Sequence, residues 1–345
     1  MYLRSFEYFR ALTIVIIVMG HSYGIAGWKL ESFLDRTLAN LISGGTSLFV
    51  FISGFLFHHV FYPKFHYFTF VKKKIKNVYV PYLILSIIPV CVSIYTRIPY
   101  EEYYFGANDN YYDQFLRPAI LYYLNGGVLV YWYIPFIMAI YIISPIFVKF
   151  INIQIKSKIY IVAFLTLISI FMHRPVNNFL IIQSVIYFTP VFMFGIVCSV
   201  EKDLIYEKLY RKDVWLFLLV LFLAILQAAV MPTSGNLQKP PFEFNGIDIS
   251  LLQKMVMCVF LMVFLHRFED YDSRILKQLA SSSFSIYFLH GWFIWILWEV
   301  RDWYDSLFGL HLLPILSALV IWLSYAVALR VRRAFPDRSR MIIGW

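Results

Sequence analysis

The chain has 345 residues, of which 61% are hydrophobic and only 14% charged. A water-soluble globule of that composition would leave extended apolar surface in water, which excludes a soluble enzyme or binding module and points to a polytopic membrane protein. The formal net charge of +10 does not mark a nucleic-acid binder, because the basic residues gather in alternate loops, as they do in proteins oriented across a bilayer.

Apolar blocks of about twenty residues can each cross roughly 30 Å of hydrocarbon as a helix. They predict spans at 11–28, 38–62, 78–98, 127–149, 159–172, 179–199, 214–231, 248–265, 279–298 and 312–330. The expected fold class is therefore an all-α integral membrane protein, a bundle of about ten transmembrane helices. A single domain is expected over 1–345, with no separate soluble domain and no internal repeat. An even number of spans puts both termini on one side. Lys29, Arg36, Arg97, Arg117, Arg174, Lys239 and Arg301 fall on the other, so the richer side, with both termini, is expected to be cytoplasmic. The first block is long, lacks an A-x-A type cleavage site and is followed by further spans, unlike a cleaved signal peptide.

The opening helix, FRALTIVIIVMGHSYGIAGW (9–28), carries two residues that lipid disfavours, Arg10 and His21. Eleven residues at 100° each come to about 1100°, three turns plus about 20°, so both side chains leave nearly the same face. Their axial separation is roughly 16 Å at 1.5 Å per residue. A guanidinium is a rigid fork suited to phosphate, and imidazole is suited to proton transfer near neutral pH. The bland alternatives are a snorkelling arginine and a hydrogen-bonded core histidine.

The second block holds GGTSLFVFISGFLFHH (44–59), whose Gly44, Gly45, Ser47, Ser53 and Gly54 admit close approach of a ligand or, more simply, of another helix. Next comes VKKKIKNVYVPY (71–82). Lys72, Lys73, Lys74 and Lys76 here make a candidate phosphate-binding patch, although orientation alone also calls for lysines at this point. Pro81 suits the first turn of the third helix. The loop YEEYYFGANDNYYDQF (100–115) suits a polar or carbohydrate ligand, or simply solvent, and RPAILYYLNGG (117–127) reads as an interfacial helix.

In YWYIPF, Tyr131, Trp132 and Tyr133 read either as part of an aromatic belt or as a sugar-stacking platform for substrate. The ninth block, SSSFSIYFLHGWFIWILW (281–298), puts His290 in mid-span, with a structural and a substrate-binding role both open. Cys91, Cys198 and Cys258 lie far apart in apolar segments, a spacing that suits neither a disulfide framework nor a metal site, so no metal is expected.

Taken in order, these segments resemble the membrane-bound acyltransferase 3 family. Arg10, ten residues and His21 are followed by the glycine-containing GGTSLFVFISGFLF, by KKKIKNVYVPY, by WYIPF and by SFSIYFLH, from residue 5 to about 300. Each motif alone is weak; five in the right order are specific. The resemblance implies transfer of an acyl group, usually acetyl, from cytoplasmic acetyl-CoA to a hydroxyl of a cell-surface glycan such as O-antigen, capsule or exopolysaccharide. It implies His21 as the essential histidine and Arg10 as its paired basic residue. The family's R-x-x-R element maps onto Lys74 and Asn77, a departure that hands phosphate binding to Lys74 with Lys73 or Lys76.

The resemblance also implies a multi-pass protein of the bacterial cytoplasmic (inner) membrane. Its expected partners are membrane lipids and a glycan acceptor, free or lipid-linked, with no nucleic acid; a homo-oligomer stays open. Two mechanisms also stay open, His21 as general base or as transient acyl carrier. The rival reading is a transporter or flippase for a polysaccharide precursor, which the absence of paired half-repeats disfavours. A scaffold subunit of a polysaccharide-synthesis complex is the other.

Overall fold

Helix α1 (Arg4–His21) begins with three charged residues, Arg4, Glu7 and Arg10, in its first two turns. A helix start leaves backbone N–H groups unpaired. Here the Glu269 carboxylate accepts the Arg4 and Ser5 backbone N–H groups at 2.6 and 3.0 Å. A negative charge at the positive end of a helix is favourable. This computed structural model describes residues 3–96, 116–178, 180–231, 234–235 and 237–345. The loop expected to face a carbohydrate, 100–115, lies outside the described residues.

The first helix therefore spans 4–21, not the expected 11–28. It stops at His21 because Ser22 turns its hydroxyl back onto the Val18 carbonyl, and Gly27 adopts a left-handed φ of +57° in the turn that follows. His21 thus sits at the end of its helix, not in the middle.

The second expected span divides into α2 (Phe33–Ile42) and α3 (Gly45–Leu56). Ser32 and Asp35 close α2 with a reciprocal capping box. Gly44, at φ +80°, makes the break. The carbonyls of Asn40 and Leu41, freed by that break, accept hydrogen bonds from Lys254 Nζ, both at 2.9 Å. Lys254 is 1% exposed within an apolar helix, and these two bonds explain its presence there.

Next come α4 (Tyr67–Lys74), a π-helical turn at Ile75–Tyr79, and α5 (Val80–Thr96), with Pro81 in its first turn as expected. The segment read as interfacial forms α6 (Arg117–Asn125). The fourth span is a bent pair, α7 (Tyr133–Ile142) and α8 (Ser144–Ile151), meeting at 58° where Pro145 interrupts the backbone bonding.

Then follow α9 (Ile155–Met172), α10 (Ile181–Val200), the short α11 (Lys202–Lys208), α12 (Asp213–Val230) and α13 (Ile249–His266). The chain continues through α14 (Arg274–Glu299) and α15 (Leu312–Ala334) to a five-residue helix, α16 (Ser339–Ile343). No β-strand occurs among the described residues.

Seven helical stretches among the described residues are long and apolar enough to cross a membrane, eight if the bent pair counts as one. They match eight of the ten expected spans. The other two, α1 and α14, carry the charges, serines and histidines that lower their apolarity. These two pack on each other, and α3, α13, α15 and α2 also contact α1. Protein, not lipid, therefore covers much of the polar helix α1.

The small residues of the second block are packing residues in the first instance. A Cβ on Gly54 would come within 1.9 Å of the Phe192 carbonyl oxygen in α10, and one on Gly195 within 2.2 Å of the Phe51 carbonyl oxygen in α3. The two backbones touch through reciprocal glycines, the close approach that small residues allow.

Candidate active site

His21 and His290 are brought together by the pairing of α1 with α14. His21 Nδ1 lies 2.9 Å from His290 Nε2, and His290 is fully buried. The other ring nitrogen of His290, Nδ1, is 2.6 Å from the Tyr287 carbonyl and 3.2 Å from that of Ile286. A carbonyl only accepts, so Nδ1 of His290 carries hydrogen. In a neutral ring Nε2 then holds the lone pair and must accept from His21 Nδ1–H. By elimination, the neutral His21 keeps its free lone pair on Nε2. A backbone carbonyl thus sets the tautomer of one imidazole, and that imidazole sets the next.

Arg10 opens a second region. Its Nη2 donates to Ser283 Oγ at 3.0 Å, while the Ser283 hydroxyl donates to the Ala280 carbonyl at 2.8 Å. Ser283 and His290 are seven residues apart on α14, about 700° or two turns less about 20°, so they share a face. The order Arg10–Ser283 then His21–His290 makes α1 and α14 run parallel.

Arg10 lines a cavity of about 880 Å³ together with Lys73, Lys74, Lys76 and Arg340. The Lys74 ammonium sits 4.3 Å from the Phe61 ring centroid, 4.4 Å from Tyr141 and 5.2 Å from Phe70, an aromatic cage that holds the cation without a carboxylate. Asn77 lines the same cavity.

The inner wall of the cavity includes Tyr133 and Tyr287. Tyr287 is the residue whose carbonyl holds His290, so the wall of the cationic cavity and the histidine pair are one helical turn apart on α14. Tyr133 OH meets Ser53 Oγ at 3.2 Å, which gives Ser53 a polar role beside the packing role of Gly54.

The three aromatic residues of YWYIPF separate. Tyr131, fully buried, donates to the Phe288 carbonyl and accepts from Trp292 Nε1–H at 3.0 Å, tying the start of α7 to α14. Trp132, 5% exposed, stacks on Phe188 and lies 4.6 Å from the Arg174 guanidinium. Tyr133 turns to the cationic cavity. None of the three offers an exposed ring face, because they line the interior of the bundle.

Arg174 follows α9, at the end of the bundle away from Arg10, and is close enough to act electrostatically on His21. In the sequence it stands only as a loop charge, and neither Ser283 nor Arg340 stands out. The shared face of Ser283 and His290 was readable from their spacing; nothing in the spacing of Arg174 or Arg340 marked either.

The site thus combines a hydrogen-bonded imidazole pair, His290 buried and His21 half-buried, with a cation-lined cavity whose Tyr287 wall is one helical turn from His290. A family model described as an acyltransferase domain matches residues 3–329, and the chain belongs to the acyltransferase 3 family. It is a multi-pass membrane acyltransferase. No curated protein and no solved structure matches the chain.

Proposed function

We propose that the chain transfers an acyl group, acetyl in the simplest case, from acyl-CoA to a hydroxyl of a cell-surface glycan at the bacterial cytoplasmic membrane. The observation that carries this reading is the His290–His21 relay, which leaves a free lone pair on His21 Nε2, with His290 one helical turn from Tyr287 in the wall of a cationic cavity. The cavity suits the donor in two respects. Its volume of about 880 Å³ is within the roughly 300–1,000 Å³ of small-molecule sites. Its Arg10 and lysine side chains match the donor's phosphates.

In the reaction we infer, Arg10, Lys73, Lys74 and Lys76 hold the phosphates at the side read as cytoplasmic. The thioester lies inward of Tyr133 and Tyr287. His21 Nε2 takes the proton of the acceptor hydroxyl as its oxygen attacks the thioester carbonyl. The C–S bond breaks as the C–O bond forms, and the imidazolium returns the proton to the departing thiolate. His290 Nε2 accepts from His21 Nδ1–H throughout and stabilises the charge that develops on His21.

The test is His21→Ala in a host whose surface polysaccharide carries O-acetyl groups, with protein level measured in parallel. Loss of O-acetylation at normal protein level is the expected result. Retained acetylation at that level refutes the role of His21. Uptake of labelled acetyl from acetyl-CoA into isolated polysaccharide by the purified protein separates this activity from transport.

A further inference from the structure

The cavity that holds Arg10 is closed on one side by residues beyond 329, where the family match ends. This segment is firmly docked. Ser339 and Ile343 are each 2% exposed, and Ile343 packs with Leu289 of α14 and Ala328 of α15. Gly344 takes φ +79°, and a Cβ there would come within 2.7 Å of the Phe284 ring. The Trp345 ring lies 4.6 Å from the Arg332 guanidinium and beside Tyr325.

This docking delivers Arg340 to the cavity wall, where its charge acts on both Arg10 and Lys74 although the three come from separate parts of the chain. Five cations therefore line one cavity: Arg10, Lys73, Lys74, Lys76 and Arg340. Asp337 is the one acid in its lining. None of the ion pairs among the described residues uses any of the five cations. Like charges gathered this way repel one another, and a polyanion between them turns the repulsion into binding.

We propose that Arg340 is a donor-binding residue, a phosphate contact for the nucleotide end of the acyl donor, and that the docked segment 335–345 is a wall of the donor site. The inference rests on the acyl-CoA reading above and adds to it a residue from outside the matched family region. Arginine suits the task because its fork holds two phosphate oxygens at once, whereas Lys74 offers a point charge. In this arrangement Arg10 of α1 and Arg340 of α16 both line the space the donor's phosphates would fill.

The experiment measures binding of coenzyme A by the purified full chain in nanodiscs, using Arg340→Gln, Arg340→Lys and Asp337→Asn. Arg340→Gln is expected to weaken binding about tenfold or more, the scale of a lost charged hydrogen bond. Arg340→Lys should recover part of the loss, and Asp337→Asn should tighten binding. If the wild type binds and both Arg340→Gln and Asp337→Asn bind equally well, Arg340 makes no phosphate contact and the inference falls while the acyl-CoA reading stands. If the wild type does not bind coenzyme A, both fall. Should Arg340→Gln lose its fold, Asp337→Asn alone decides: unchanged or weaker binding overturns the proposal.

Discussion

His21 and His290, 269 residues apart in sequence, meet through Nδ1 and Nε2 at 2.9 Å with their ring planes 12° apart. The pair is ordered from one end, because the Tyr287 carbonyl fixes the hydrogen on His290 Nδ1. A base oriented by a second group recurs wherever a hydroxyl must be activated.

Replacing His290 by Ala or Gln should therefore lower kcat by about 10²–10³-fold, within the usual range for acid–base catalysis. Affinity for coenzyme A should stay near the wild-type value. Single-turnover kinetics with a binding isotherm checks both. An unchanged kcat would mean that His21 needs no partner.

Arg10→Ala should act on the other side of the site. It removes a cavity-lining cation held in place by Ser283, so the donor KM should rise about tenfold or more while kcat changes less. Ser283→Ala should reproduce part of that rise. Steady-state kinetics with varied acetyl-CoA separates the two parameters, and equal losses in kcat for both variants would contradict the assignment.

Gly54→Ala tests packing without touching the chemistry. Its methyl group would meet the Phe192 carbonyl oxygen at 1.9 Å, a backbone atom that cannot swing aside. Overpacking of this kind typically costs about 1–3 kcal/mol. The thermal midpoint in detergent should fall, and the enzyme that remains folded should bind coenzyme A normally.

Lys254→Ala leaves the Asn40 and Leu41 carbonyls without their donor at the α2–α3 break. A buried acceptor left without a partner costs about 1–3 kcal/mol. The expected result is a lower thermal midpoint with an unaltered donor KM. A drop in kcat at full stability would instead make Lys254 part of the site.

How much of this was legible in the sequence follows from which interactions are local. The apolar blocks and the shared face of Arg10 and His21 depend on helix periodicity and were readable. The start of α1 was not, because its charged first turns are made tolerable by Glu269, far along the chain. The break at Gly44 was hidden in a block apolar enough to read as one helix. His290 was visible as an anomaly in its span, but periodicity assigns a face and not a neighbour, so its partner was not. The aromatic run 131–133 looks like one unit in the sequence, but the turn that leads into α7, with Leu129 and Val130 at positive φ, sends its three rings to different partners.

The capping of α1 by Glu269 bears on what the enzyme can accept. Glu269 holds the first residues of α1 and His290 holds the last, and both partners belong to the α13–α14 loop and α14. The helix is clamped at both ends to one neighbour and works as a gauge block. The interval from guanidinium to imidazole, roughly 16 Å along the axis, is fixed by the peptide backbone and not by the ligand. On the acyl-CoA reading proposed above, a truncated donor, such as a short thioester without its nucleotide, would reach one jaw or the other and never both. A longer acyl chain would add its length only beyond His21. Selection by reach would then be written into a single helix.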